Sequence, residues 1–220
     1  MKHEITGAIF DMDGTLIDSL GLWSAFWPAF GRKFLKTENF YPSQEDDKKI
    51  RTTTLLQAME LMHEKYKMGK DVSELMEEAD RFIINYYTES VCAKPGIPEF
   101  LNHLKSLGVK MCIASATDKK LLNVALYSCG LDKYFDTILS CADIGKGKDL
   151  PDIFYAALEH LGTDKQTTWV FEDSAVAVAT AARAGFKTVG IYDKFNYGHS
   201  DLKKTATEYI DDGETLLKLI

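Results

Sequence analysis

The chain has 220 residues, 45% of them hydrophobic, enough to bury one large core or two modest ones. Its 33 acidic residues outnumber 26 basic ones, for a formal charge of −7. The basic residues fall in short pairs such as Lys48-Lys49 and Lys203-Lys204, which argues against a nucleic-acid partner and against binding to an anionic membrane.

The opening "MKHEITGAIF" has no long apolar segment and no small-residue cleavage site, and no later run is long enough to span a bilayer. A cytoplasmic protein is therefore expected. The four cysteines, Cys92, Cys112, Cys129 and Cys141, lack metal-like spacing, so core thiols in a reducing compartment are expected. The five histidines stand apart from one another, which leaves no histidine-built metal site.

In chain order, "TGAIF" (Thr6 to Phe10) reads as a short buried strand. From Leu20 to about Ser90 the pattern turns helical. "LWSAFWPAF" predicts a helix bent or interrupted at Pro28. "LLQAMELMHEKY" (Leu55 to Tyr66) predicts a second, ended by Gly69, and "SELMEEADRFIINYY" (Ser73 to Tyr87) a third, capped by Asp71 or Ser73. "KPGIPEF" (Lys94 to Phe100) then punctuates the chain. Beyond it helices and strands alternate: a helix to Gly108, a strand "VKMCIAS", a helix to Gly130, a strand "DTILS". The helix "PDIFYAALEHLG", the strand "TTWVFED", the alanine-rich helix "AVAVATAARAG" and the strand "KTVGIYD" follow, and "EYIDD" can add one more strand.

This alternation predicts an α/β fold, a doubly wound parallel sheet with helices on both faces. The helical segment reads as an insertion, dividing the chain into a discontinuous core of residues 1–18 and 94–220 and an inserted module of residues 19–93.

Ligands of open parallel sheets bind outside the carboxyl ends of the strands, so the residues that follow each strand carry the functional reading. They are Asp11 and Asp13, then Ser115, Ala116 and Thr117, then Glu172 and Asp173, with Lys146 and Lys148 in a nearby loop. So many carboxylates at one edge call for a compensating hard cation such as Mg2+. One carboxylate can attack phosphorus and form an acyl phosphate, and a second, two residues later, can move protons for the leaving group and for water. The serine hydroxyl and the backbone N–H groups of Met12, Asp13 and Ala116 can hold phosphoryl oxygens, with lysine offsetting the charge.

These motifs resemble the haloacid dehalogenase superfamily over nearly the whole chain. "DMDGT" is similar to its first motif, which implies Asp11 as nucleophile and Asp13 as general acid/base. Ser115 stands in the second-motif position. "GKGKDLPDIF" is similar to the third motif, and the spacing to Pro-Asp favours Lys148 over Lys146. "VFEDS" is similar to the fourth, which implies Asp173 as a metal ligand with Glu172 beside it, joined by Asp11 and the Asp13 carbonyl. The helical insertion resembles the small cap of β-phosphoglucomutase and phosphoglycolate phosphatase. One departure is Ala177, where relatives often carry glycine.

The resemblance implies a Mg2+-dependent phosphatase acting on a small phosphorylated metabolite such as a sugar phosphate, and a monomer. A phosphomutase of the β-phosphoglucomutase kind is the alternative, since it would need the same residues and a second phosphate grip on the cap. Asp13 argues against dehalogenation and against carbon–phosphorus cleavage, neither of which calls for that acid. A non-enzymatic phospho-receiver domain would be about half as long and would have no use for a cap. Arg51 and Trp23 are the cap residues expected to read the substrate.

Overall fold

The computed structural model describes residues 4–50 and 53–220. Its centre is a sheet of six strands, all parallel, in the order β3-β2-β1-β4-β5-β6. The strands are β1 (Gly7–Phe10), β2 (Lys110–Ser115), β3 (Thr137–Ser140), β4 (Thr168–Glu172), β5 (Lys187–Ile191) and β6 (Glu208–Ile210). The doubly wound α/β architecture expected from the alternation is thus observed.

β1 and β4 are buried along their whole length, the condition of a parallel strand covered on both faces. Successive side chains point to opposite faces, and the core divides accordingly. On one face Phe10 stacks on Phe171 with ring centroids 4.4 Å apart, and Phe100 meets Phe171 edge-on at 5.7 Å. Helices α5 (Ile97–Ser106) and α6 (Lys119–Ser128) cover this face. Ile9, Ala114 and Val170 point the other way, against α8 (Asp152–Leu161) and the alanine-rich α9 (Ala175–Arg183). Two short helices were not legible in the sequence, α7 (Cys141–Ile144) and α10 (His199–Thr205).

Between β1 and α5 lie α1 (Leu22–Phe30), α2 (Gln44–Ile50), α3 (Leu55–Tyr66) and α4 (Val72–Glu89). Pro28 sits inside α1 without interrupting it, and the helix runs on into a π-helical turn at Gly31–Leu35. A proline leaves the carbonyl four residues earlier without its helical donor; here that carbonyl, Ser24 O, accepts the Tyr41 hydroxyl at 3.2 Å. The Thr54 and Gln57 side chains form a reciprocal capping box on α3, and Asp71 caps α4 by accepting the Glu74 N–H at 2.9 Å. α3 ends at Tyr66 and is capped by Lys67, in a left-handed conformation, two residues before the expected Gly69.

α2 was missed by periodicity. Its acids Glu45, Asp46 and Asp47 come first and Lys48 and Lys49 last, the arrangement that suits a helix dipole. Asp46 is buried and takes bonds from both Lys65 (2.8 and 2.7 Å) and the hydroxyls of Ser43 (2.6 Å) and Tyr66 (2.5 Å). It thereby ties α2 to α3. The two chain passages joining the helical segment to the sheet pair with each other. Asp18 N–H donates to Cys92 O at 3.0 Å and Lys94 N–H to Leu16 O at 2.9 Å, beside an antiparallel bridge between Ile17 and Ala93. Among the described residues no helix is long and apolar enough to cross a membrane.

The Lys65 ammonium, with Ser43 and Tyr66, holds the Asp46 carboxyl down to about 2. A depressed carboxylate contributes stability that is complete above its unfolded value of about 4 and is lost as the pH falls toward the folded one. Asp46→Asn is therefore expected to lower the melting temperature by a constant amount above about pH 5, with the gap closing as the pH approaches 2. Thermal scans of both proteins across that range check this; a gap that does not depend on pH would mean the charge is not what matters.

Candidate active site

Phe10, the last residue of β1, lies in register with Ile113 of β2 and Phe171 of β4. Asp11, Ser115 and Glu172 consequently leave the sheet along one edge, and the Asp11 N–H continues the ladder by one bond to Phe171 O (2.9 Å). Strands β2 and β3 build outward on one side of β1 and β4 to β6 on the other. The order reverses between β1 and β4, where a doubly wound sheet opens its crevice.

The turn after β1 folds back on itself. Met12 O accepts the N–H groups of Thr15, Leu16 and Ile17, and Gly14 N–H returns to Ile17 O at 3.0 Å. Gly14 adopts φ +77°, and a Cβ there would lie 2.4 Å from Asp173 Oδ2 and 2.7 Å from a Leu20 methyl. The glycine therefore lets the first loop press directly on the carboxylate that follows β4. The N–H groups of Met12, Asp13 and Ala116 pair with no backbone carbonyl among the described residues.

One lysine organises the charges. Lys148 Nζ donates to Asp11 Oδ1 at 2.6 Å and to Glu172 Oε2 at 2.7 Å, and all three side chains are buried or nearly so. Burial opposes the ammonium, but Asp11 and Glu172 outweigh it and hold the Lys148 pKa above its ordinary value. Lys146 lies at the surface, paired with Asp152 at 2.5 Å. Of the two lysines in the loop, Lys148 is the one at the site.

Glu172 is pushed up to about 7, first by burial, and its other oxygen accepts the Ser174 N–H at 3.1 Å. Asp173, at the N-terminal side of α9, is raised well above the usual carboxylate range by burial and then by Glu172 and Asp11. Its oxygens take Thr15 Oγ1 at 3.1 Å and Asn196 Nδ2 at 2.6 Å.

Asp13 sits apart from this cluster in a cage of hydroxyls. Ser19 (2.6 Å) and Tyr87 (2.8 Å) donate to Oδ1, and Thr117 (2.8 Å) to Oδ2. Burial, and after it Asp11, raises the Asp13 pKa, while the three hydroxyls pull it back. Ser115 Oγ accepts the Thr117 N–H at 3.2 Å.

A cavity of about 650 Å³ opens over these groups, and its far wall comes from the helical segment, including Trp23, Lys48, Lys49, Leu55 and Ile83. Trp23 stacks on Trp27 (5.4 Å between centroids), while Phe26, Trp27 and Phe30 are buried as core. The aromatic cluster thus serves packing at three positions and lines the cavity at Trp23. Arg51, the other expected cap residue, lies outside the described residues. Ser19, Tyr87 and Asn196 were not foreseen; Ser19 reaches back six residues to Asp13, while Tyr87 and Asn196 act through tertiary contact from elements whose local sequence carries no motif.

Asp11, Glu172 and Asp173 each offer a carboxylate oxygen, all within 4.8 Å of one another. Three hard oxygen donors against one ammonium leave excess negative charge, which adds to burial in raising Glu172 and Asp173. That donor set fits a hard divalent cation such as Mg2+.

The chain is similar to known proteins in sequence and in fold. The sequence model of the haloacid dehalogenase-like hydrolases matches residues 5–185. The chain is 26% identical to the phosphorylated carbohydrates phosphatase of Thermotoga maritima over 210 residues, covering 94% of this chain and 95% of that one. It is also 26% identical to the protein CbbY of Rhodobacter capsulatus, covering 95% and 99%. Among solved structures, that of CbbY from Rhodobacter sphaeroides in complex with phosphate superposes with a TM-score of 0.80 at 20% identity, covering 94% of each chain.

The close approach at Gly14 is testable against Gly108, which has a similar φ of +73° but nothing within 4 Å of an added Cβ. Gly108→Ala is expected to cost about 1 kcal/mol of backbone strain, and Gly14→Ala roughly twice that or more, because the Asp173 carboxylate must also move. Urea unfolding of both variants measures the difference; equal losses would mean the loop does not press on Asp173.

Proposed function

The chain belongs to the haloacid dehalogenase-like hydrolases, and on that premise we propose that it is a magnesium-dependent phosphatase of a small phosphorylated metabolite, working through an aspartyl-phosphate on Asp11. The observation that carries the reading is the buried Lys148 bridge between Asp11 and Glu172, with Asp173 close enough to share a cation. A relative of similar length, 26% identical, is a phosphatase of phosphorylated carbohydrates, which supports a sugar phosphate or similar monoester as substrate.

In this mechanism Asp11, Asp173 and the Asp13 carbonyl hold the cation, with Glu172 behind them keeping Lys148 in place. The bound cation offsets the charge of the phosphoryl group and of its nucleophile. The rest is done by the chain. The Asp11 carboxylate attacks phosphorus, and its second role as partner of Lys148 fixes its direction. Ser115 and the N–H groups of Met12, Asp13 and Ala116 hold the phosphoryl oxygens. Asp13 delivers a proton to the departing oxygen, then takes one from the water that cleaves the acyl phosphate. Residues 19–93 act as a cap over the core of residues 1–18 and 94–220, hinged at the paired passages around Ile17 and Ala93. Trp23 and Lys48 of the cap face the substrate's leaving group. The reading places the protein in the cytoplasm as a monomer, and its four unpaired cysteines suit a reducing compartment.

Phosphate release from a panel of sugar phosphates, p-nitrophenyl phosphate and pyrophosphate, with magnesium and with chelator, tests this reading. Turnover is expected only with the metal, and Asp11→Asn should lower it by on the order of 10⁴-fold or more while leaving the fold intact. Lys148→Ala should cost roughly 10²-fold, and Lys146→Ala, which removes only an exposed pair, less than about 3-fold. Substantial turnover by Asp11→Asn, or the reverse ranking of the lysines, would contradict the assignment. Turnover of a sugar phosphate only when its bisphosphate is added would make the protein a phosphomutase.

A further inference from the structure

We propose that Tyr87 is a positioning residue for Asp13: with Ser19 it fills one carboxyl oxygen and so fixes the acid proton on the other. The inference rests on the reading of Asp13 as general acid and assigns Tyr87 no contact with substrate.

The argument is a count of acceptor positions. Each carboxyl oxygen offers two. Asp13 Oδ1 receives Ser19 Oγ at 2.6 Å and Tyr87 Oη at 2.8 Å, so both of its positions are taken. Among the described residues Oδ2 receives only Thr117 Oγ1, at 2.8 Å, which leaves one position open. A proton on Oδ1 would displace Ser19 or Tyr87, and the displaced hydroxyl would be left buried without an acceptor. A proton on Oδ2 displaces nothing. Oδ1 then acts as the carbonyl oxygen accepting two bonds, while Oδ2 accepts from Thr117 and is free to donate.

The three hydroxyls are themselves held. Thr117 is fixed at the end of β2, its N–H on Ser115 Oγ (3.2 Å) and its carbonyl accepting Ser140 Oγ (2.9 Å). Ser19 lies just beyond Asp18, whose N–H pairs across the joint with Cys92 O. Tyr87 is 2% exposed in the last turns of α4, the helix that leads back into that same joint. Its phenol is thus a contribution from the helical segment to a group on the sheet, anchored next to the point where the two meet.

The step it serves balances simply. A bond forms between an Asp11 oxygen and phosphorus, the bond from phosphorus to the leaving oxygen breaks, and that oxygen takes the Oδ2 proton. The products are the aspartyl-phosphate, a neutral alcohol and the Asp13 carboxylate. A leaving group that departs readily as an anion has little need of this proton, whereas an alkoxide cannot leave without it.

That difference gives a test that a merely structural role would not reproduce. The value of kcat/KM, which reports steps up to the first irreversible one, is measured for p-nitrophenyl, phenyl and benzyl phosphate. Tyr87→Phe keeps the ring and removes the donor. It is expected to lower kcat/KM for benzyl phosphate by about 10-fold or more, and for p-nitrophenyl phosphate by less than about 3-fold, with phenyl phosphate between. Asp13→Asn should show the same ordering with larger losses. A uniform loss across the three esters, or none with benzyl phosphate, overturns the role of Tyr87. A flat response of Asp13→Asn overturns the reading of Asp13 as acid, and the proposal with it. Should Tyr87→Phe fail to fold, Tyr87→Met is read by the same criterion.

Discussion

The site depends on a single ammonium. Among the described residues, Lys148 is the only cation bonded into a buried group of carboxylates that includes Asp11 and Glu172, at 2.6 and 2.7 Å, with Asp173 adjoining. Taking that many charges out of water is costly unless each is paired. One lysine can offset one of the three; burial first, and the neighbouring carboxylates after it, raise Glu172 to about 7 and Asp173 well above its usual range. The same imbalance that strains the protein alone is what makes a divalent cation welcome. Removing Lys148 would therefore disturb more than one bond, since Asp11 and Glu172 would lose their shared partner together.

The sheet makes this arrangement possible because parallel strands in register end side by side. Phe10, stacked on Phe171, sets the level at which Asp11 and Glu172 emerge. The loop after β5 then ties the site to its surroundings. Asp193 in that loop pairs with Lys94 at 2.8 Å, close to the joint with the helical segment. Asn196 donates to both the side chain and the carbonyl of Asp173, at 2.6 and 3.1 Å, and Tyr197 donates to Asp47 of α2 at 2.7 Å. One short loop thus touches the joint, a candidate metal ligand and the cavity's far wall.

Much of this was legible in the sequence because the signals are local. A buried strand reads as a continuous apolar run, a helix as a 3.6-residue period, and the polar residues just past each strand announce the edge of the sheet. Lys148 could be separated from Lys146 by resemblance to the family's third motif, in which the lysine precedes Pro-Asp, and the structure puts the first in the site and the second at the surface. The signals that were absent belong to a short helix and to contacts between residues far apart in the chain. α2 carries its apolar face on too few residues for a period to show, and its ordering of acids before lysines was the available clue. Tyr87 and Asn196 sit 74 and 23 residues from the groups they hold. No spacing rule links such pairs; only the packing of α4 on the sheet's helices and the path of the loop after β5 bring them together. Pro28 shows the reverse case, where a local breaker was overridden because Tyr41 supplies the donor that the proline removed.

The central claim is that Asp11 becomes phosphorylated in turnover, and rapid acid quenching tests it most directly. The protein is mixed with magnesium and labelled p-nitrophenyl phosphate, quenched within the first turnover, and digested. The account expects label on the peptide containing Asp11, released by alkaline hydroxylamine as an acyl phosphate would be, and absent from Asp11→Asn. Phosphate release at full rate with no protein-bound label, or label on a peptide lacking Asp11, would contradict it.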